Sequence, residues 1–253
     1  MKRIILMFIR NFFYLPYFAI NLFRYSKKVD KYPELKRYNF LQKIVYRANK
    51  GGNVKIETYG KDNIPEESGF MIFPNHQGMY DMLALIDGCQ HPLSVVAKKE
   101  AQNIPLLKNV FQIVKAFFID RDDVRQSMKI IVEVSKEVEK GRNYVIFPEG
   151  TRSKNGNNVG EFKGGSFKAA TKVKCPIVPV ALIDSFKPFD TKSIKKVTVQ
   201  VHFLKPMLYD EYKDMKTNEI ADEVRRRIVE VIEKNTLSEK VNSTYKLKFL
   251  SED

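Results

Sequence analysis

Apolar positions along this chain fall into short runs that alternate with longer, one-sided patterns. The runs "VKIETY", "GFMIFP", "LSVVAK", "AFFID", "NYVIFP", "PIVPVAL" and "VTVQVHF" have the length of strands, and the last alternates cleanly between apolar and polar. Near-continuous apolar runs of this length mark strands buried on both faces. Between them lie helical patterns. "YDMLALIDG" opens one, residues 124–140 form a second between Asp122-Asp123 and Gly141, a short one covers 166–174, and a last one covers about 218–235. The alternation predicts an α/β fold with a mixed, largely buried sheet flanked by helices. In such sheets ligands collect at the carboxyl ends of the strands.

The first fifty residues follow another pattern. "IILMFI" and "FFYLPYFAINLF" are greasy and crowded with aromatics, and "RYSKKVDKYPELKRYNF" follows them. Net charge sharpens the contrast. The chain carries +14, and residues 1–50 hold twelve Lys or Arg against Asp30 and Glu34, so +10 sits there and only +4 on the remaining 203 residues. A basic block alone fits nucleic acid or anionic lipid equally. Fused to aromatics it fits the membrane interface and disfavours nucleic acid. Twenty residues are long enough to span a bilayer, but Arg10 near its centre would cost about 2.5–3.5 kcal/mol. An interfacial or re-entrant anchor on an anionic surface is therefore expected, with a spanning helix or a packed core helix as the alternatives. Gly51-Gly52 marks the boundary, giving residues 1–50 as a membrane-anchoring segment and 51–253 as the α/β domain. Cys89 and Cys175 have no metal-ligand spacing and lie in or near apolar runs, as buried thiols in a reducing compartment do.

The candidate chemistry sits at strand ends. In "FPNHQGMYD" the apolar run ends in Pro-Asn-His, with His76 five residues before Asp81. Within one helix that spacing turns the chain by about 500°, leaving the side chains roughly 140° apart. The two meet only if His76 lies in the loop and leans over the first helical turn. Asp81 would then fix the imidazole tautomer and leave the other nitrogen as a general base. "FPEGTRS" follows another strand, and Gly150, Thr151 and Arg152 offer a tight turn, a hydroxyl and a fork that suit phosphate. A Glu149–Arg152 ion pair within the turn is the competing reading. "FFIDRDD" places Arg121 after a third strand, where the aspartates also read as a helix cap. Lys98 and Lys99 end a fourth strand, where a solvated face is the default reading.

"NHQGMYD", "FFIDRDD", "FPEGTRS" and "VPVAL", in this order, resemble the glycerolipid acyltransferase family, and within it the 1-acyl-sn-glycerol-3-phosphate acyltransferase branch. The similarity covers about residues 59–182. It implies that His76 is the general base and Asp81 its orienting partner. It puts Glu149, Gly150, Thr151 and Arg152 at the acceptor phosphate, with Arg121 and Lys98 in support and Pro179 packing near the acyl site. It implies acyl transfer from an acyl-CoA or acyl carrier protein thioester to the free hydroxyl of 1-acyl-glycerol-3-phosphate, giving phosphatidic acid, without metal or other cofactor, at the cytoplasmic face of the cell membrane. A thioester hydrolase, a non-catalytic lipid-binding module and other acceptors, including glycerol 3-phosphate, are the competing readings. Gly78 stands where the family often has Ser or Thr, and Lys108 and Lys115 stand where it usually has Gly.

Overall fold

The computed structural model describes residues 2–105, 107–120 and 122–249, and their side chains except those of Val124 and 238–249. Its elements begin with α1 (Lys2–Arg10), α2 (Leu15–Lys27), α3 (Glu34–Gly51), β1 (Val54–Tyr59), β2 (Met71–Pro74), α4 (Asp81–Gly88), β3 (Leu93–Lys98) and α5 (Leu107–Ile113). They continue with β4 (Phe117–Ile119), α6 (Val124–Glu139), β5 (Asn143–Val145), α7 (Lys168–Val173) and β6 (Ile177–Ile183). The last are α8 (Lys187–Asp190), β7 (Val197–Phe203), α9 (Tyr209–Tyr212) and α10 (Thr217–Phe249).

The strands form one mixed sheet in the order β1-β7-β6-β2-β5-β3-β4. Every neighbouring pair is parallel except β6 with β7. Strands β6, β2, β5, β3 and β4 therefore share one carboxyl edge. The strand period of two sorts their side chains between two cores. Ile72, Val178, Val180 and Leu182 face Leu41 and Val45 of α3 and Leu85 of α4. Met71, Phe73, Ile177 and Ala181 face Val134 of α6, Ala169 of α7 and Ile220 and Val224 of α10. Helices on both faces explain why β2 and β6 are buried along their whole length.

Residues Tyr38, Phe40, Leu41 and Val45 of α3 belong to the first core. Helix α1 turns its polarity inside out. Arg3, Met7 and Asn11, four apart, are buried, whereas Ile5, Phe8, Ile9 and Phe12 are exposed. Arg3 satisfies its guanidinium on the carbonyls of Pro188, Ser193 and Lys195 at 3.1, 2.8 and 3.0 Å. Arg10 donates to Asn53 Oδ1 at 2.6 Å. No single described helix is long and apolar enough to cross a membrane; Lys2–Arg10 and Phe12–Lys27 together are, and they meet at a 67° bend.

Two elements depart from the sequence pattern. Helix α10 runs to Phe249, past the expected end near 235, because no Gly or Pro interrupts "TLSEKVNSTYKLKF". The helix expected at 166–174 divides into a 3₁₀ turn, Gly164–Phe167, and α7. Lys115 sits at φ +50°, closing α5 through Ala116 N–H to Phe111 O at 2.9 Å. Glycine would occupy that left-handed position without strain.

Candidate active site

Strand register assembles the site. Val145 of β5 lies level with Ile72 of β2 and Val95 of β3, and Lys98 of β3 lies level with Ile119 of β4. His76, Glu149, Lys98 and Asp120 consequently leave the same edge within about one residue of each other. Three inter-strand gaps span roughly 14 Å. Arg121 lies outside the described residues.

His76 is in the loop before α4, and Asp81 is the first residue of that helix. Nδ1 of His76 lies 2.7 Å from Oδ2 of Asp81. A carboxylate only accepts, so Nδ1 carries the hydrogen and Nε2 keeps a free lone pair. Asp81 is fully buried and is held by three more donors. The Gln77 amide reaches Oδ2 at 2.7 Å, the Gly78 amide reaches Oδ2 and Oδ1 at 3.0 and 3.1 Å, and the Ser185 hydroxyl reaches Oδ1. The imidazole packs on Phe147, with ring centroids 4.2 Å apart, and its side chain remains 20% exposed. One nitrogen is thus fixed while the ring stays open to a substrate.

The loop after β5 is built around a second carboxylate. Glu149 is buried, and its Oε1 accepts the His76 amide at 2.7 Å while Oε2 accepts the Gly160 amide at 3.0 Å. Burial raises its pKa, and those two amides oppose the rise. Both oxygens are engaged by backbone, so Glu149 forms neither an ion pair with Arg152 nor a free anionic surface toward a ligand. It stitches the two loops together, with Ser153 N–H to His76 O at 2.7 Å as the return contact. Gly150 turns at φ +72°, and beyond it Thr151 and Arg152 are exposed. Among the described residues nothing ties down the Arg152 guanidinium. Lys98 pairs with Glu100 at 2.7 Å on the surface, and Lys99 with Asp120 at 3.1 Å. Pro179 lies inside β6, opposite Phe73.

Several contributors carry no motif signal. Gln77 bonds Asn157 Oδ1, Leu182 O and the Ser185 amide, which fixes the loop behind Asp81. Lys163 reaches over the glycine turn, its Nζ 3.4 Å from where a Cβ on Gly150 would stand. It adds a cation at the Gly150 turn, and only its place in "FKGG", soon after the "EGTR" turn, hints at this. A Cβ on Gly78 would lie 3.2 Å from Asp190 Oδ2 and 3.3 Å from Phe186 Cα. A serine or threonine there would press the 186–190 turn outward.

The Acyltransferase family model matches residues 55–183, just over half of the chain. The chain belongs to the acyltransferase family. It is 32% identical to the 1-acyl-sn-glycerol-3-phosphate acyltransferase of Borreliella burgdorferi over 69% of this chain and 72% of that one. It is 31% identical to the enzyme of the same name from Salmonella typhimurium, over 68% and 70% of the two chains. The crystal structure of the 1-acyl-sn-glycerophosphate acyltransferase of Thermotoga maritima superimposes with a TM-score of 0.73 at 20% identity, covering 93% of this chain and 97% of that one. The described sheet and its flanking helices are thus those of an acyltransferase, and the family match spans His76, Asp81 and the "EGTR" loop.

Proposed function

We propose that this acyltransferase moves a fatty acyl group from an acyl thioester to the free hydroxyl of 1-acyl-glycerol-3-phosphate, yielding phosphatidic acid. The observation that carries the reading is the buried Asp81 at 2.7 Å from His76 Nδ1, beside the Gly150 turn with Thr151 and Arg152 exposed beyond it. Nε2 of His76 takes the acceptor hydroxyl proton as its oxygen attacks the thioester carbonyl. The carbon–oxygen bond forms, the carbon–sulfur bond breaks, and the imidazolium returns the proton to the departing thiolate. Asp81 stabilises that imidazolium, and no protein nucleophile is required. Arg152 grips the acceptor phosphate with two parallel hydrogen bonds, assisted by the Gly150 turn, Thr151, Lys163 and Arg121. Lys98 joins them at little expense, because the Lys98–Glu100 pair is exposed and water screens it. Glu149 serves as a positioning residue.

The thioester is an acyl-CoA or an acyl carrier protein adduct, both cytosolic, which puts the active site at the cytoplasmic face of the membrane. The outward face of α1 and the turn after it, with Phe13 91% exposed, dock on an anionic bilayer. Product mass spectrometry tests the reaction. Purified protein receives lysophosphatidic acid, neutral lysophospholipids and glycerol 3-phosphate with each thioester. Phosphatidic acid from lysophosphatidic acid is the expected main product. Thiol release without an acceptor, or equal acylation of neutral lysophospholipids, would refute the proposal.

A further inference from the structure

A groove of about 690 Å³ runs between α2 and α3, and a hollow of about 420 Å³ continues it, the two sharing Tyr17, Asn39 and Lys43. The aromatic side is preorganised: Phe40 of α3 holds the Tyr17 and Phe18 rings at 6.3 and 6.2 Å. The opposite side is a stripe of cations. Lys36, Lys43 and Arg47 are seven and four residues apart, so they share one face of α3 and rise along it by roughly 16 Å. No Asp or Glu lines either hollow. Acids close by in the chain are engaged elsewhere, Asp30 with Lys115 at 2.7 Å and Glu34 with Arg142 at 3.6 Å. Arg47 lies 3.4 Å over the Tyr14 ring, and its Nε is buried without an acceptor among the described residues. Cations that meet rings and no carboxylate, with Lys36 5.7 Å over Tyr32 as Arg47 is over Tyr14, match a phosphate that carries a hydrocarbon chain.

We propose that this groove holds one anionic glycerophospholipid drawn from the surrounding bilayer. Its phosphate rests on Lys43 and Arg47, with Lys36 nearby, and an acyl chain lies along Tyr14, Tyr17 and Phe18. The site is separate from the catalytic one. Gln42, which also lines the groove, donates to Ile86 O and Cys89 O at the carboxyl end of α4, whereas Asp81 opens that helix. The inference does not depend on which acceptor the enzyme acylates. A single gripped lipid would fix the depth and rotation of the protein on the bilayer, which diffuse attraction cannot do.

Native mass spectrometry of the delipidated full chain carrying the slowed His76→Ala change, with no thioester supplied, tests this with phosphatidylglycerol and phosphatidylcholine. One retained phosphatidylglycerol is expected. Lys36→Gln with Lys43→Gln should weaken it about thirtyfold, at roughly fivefold per cation. Both lysines are exposed, so the melting temperature should hold. Lys27→Gln with Lys28→Gln removes the same charge from the end of α2 and should leave binding unchanged, as should Arg152→Gln. Equal losses in the two lysine pairs would reduce the effect to diffuse attraction and overturn the site. Loss with Arg152→Gln would place the lipid at the catalytic loop instead. Phosphatidylcholine binding as tightly, or displacement by inorganic phosphate, would also overturn it.

Discussion

Replacing Asp81 with asparagine separates the two services a carboxylate renders to a histidine. An amide presents one acceptor and one donor side, and the contacts dictate which way it turns. Oδ2 faces His76 Nδ1 and the amides of Gln77 and Gly78, all donors. Oδ1 faces the Ser185 hydroxyl, which can reverse and accept, and the Gly78 amide, which has Oδ2 as its other acceptor. Asparagine with its nitrogen at the Oδ1 position therefore keeps every donor partnered, and His76 keeps its hydrogen on Nδ1. The negative charge is what disappears. Facing an imidazolium at about 4 Å, a unit charge contributes about 4 kcal/mol at an effective dielectric of 20. The transition state carries about half to all of that positive charge. The expected loss in kcat is thus about thirty- to a thousandfold, at 1.36 kcal/mol per factor of ten. Stability should change less, because neutralising a fully buried charge offsets the weaker hydrogen bonds. Steady-state assays with lysophosphatidic acid, alongside thermal melts, give both quantities. Adding Ser185→Ala removes the acceptor for the new amide and should deepen the loss beyond the product of the single effects. A folded Asp81→Asn enzyme slowed less than about threefold would show that no imidazolium forms; a loss beyond ~10⁴-fold would show that the tautomer is lost as well.

Four further outcomes are expected. His76→Ala should melt like the parent and lose about 10²–10⁴-fold in turnover; near-normal turnover would remove His76 from the mechanism. Arg152→Lys should lower kcat/KM for the acceptor by about ten- to a hundredfold and leave the donor KM alone, since a point charge replaces a two-pronged contact; equal effects on both substrates would contradict phosphate recognition. Burial raises the Glu149 pKa, so the folded chain holds this proton more tightly than the unfolded chain. Between the ordinary and the raised value its contribution to stability should fall as pH rises, and Glu149→Gln should flatten that slope in urea titrations. Phe12→Ser with Phe13→Ser should release the protein from phosphatidylglycerol vesicles without shifting the melting point, a cleaner test than deleting the amino terminus, because Arg3 and Met7 are buried in the body.

The His76–Asp81 contact was legible because helical geometry forbids it within one helix, which forces the histidine into the loop where it is found. The mixed sheet was legible from apolar runs too continuous for a half-exposed strand. Ser185 was not, since it lies 104 residues from Asp81 and meets it only through the register of β6 against β2. The orientation of Glu149 was equally hidden. Its partners are the amides of residues 76 and 160, and backbone groups leave no trace in composition. Helix α1 inverts the usual inference from periodicity, because the side that fits the body is the one whose arginine finds carbonyls.

Those carbonyls come late. Arg3 leaves the ribosome well before its partners, because Pro188, Ser193 and Lys195 follow 185 to 192 residues behind it. Strand β1 likewise waits for β7, its neighbour in the finished sheet. At about 5–20 residues per second, the interval is on the order of ten to forty seconds. Throughout it the amino-terminal helix has its greasy side complete, while Arg3 can reach Gly52 O but none of its three late carbonyls. Nascent chains should therefore reach a lipid surface before they can close their own sheet, so that the order of synthesis, and not only the finished shape, decides where this enzyme matures.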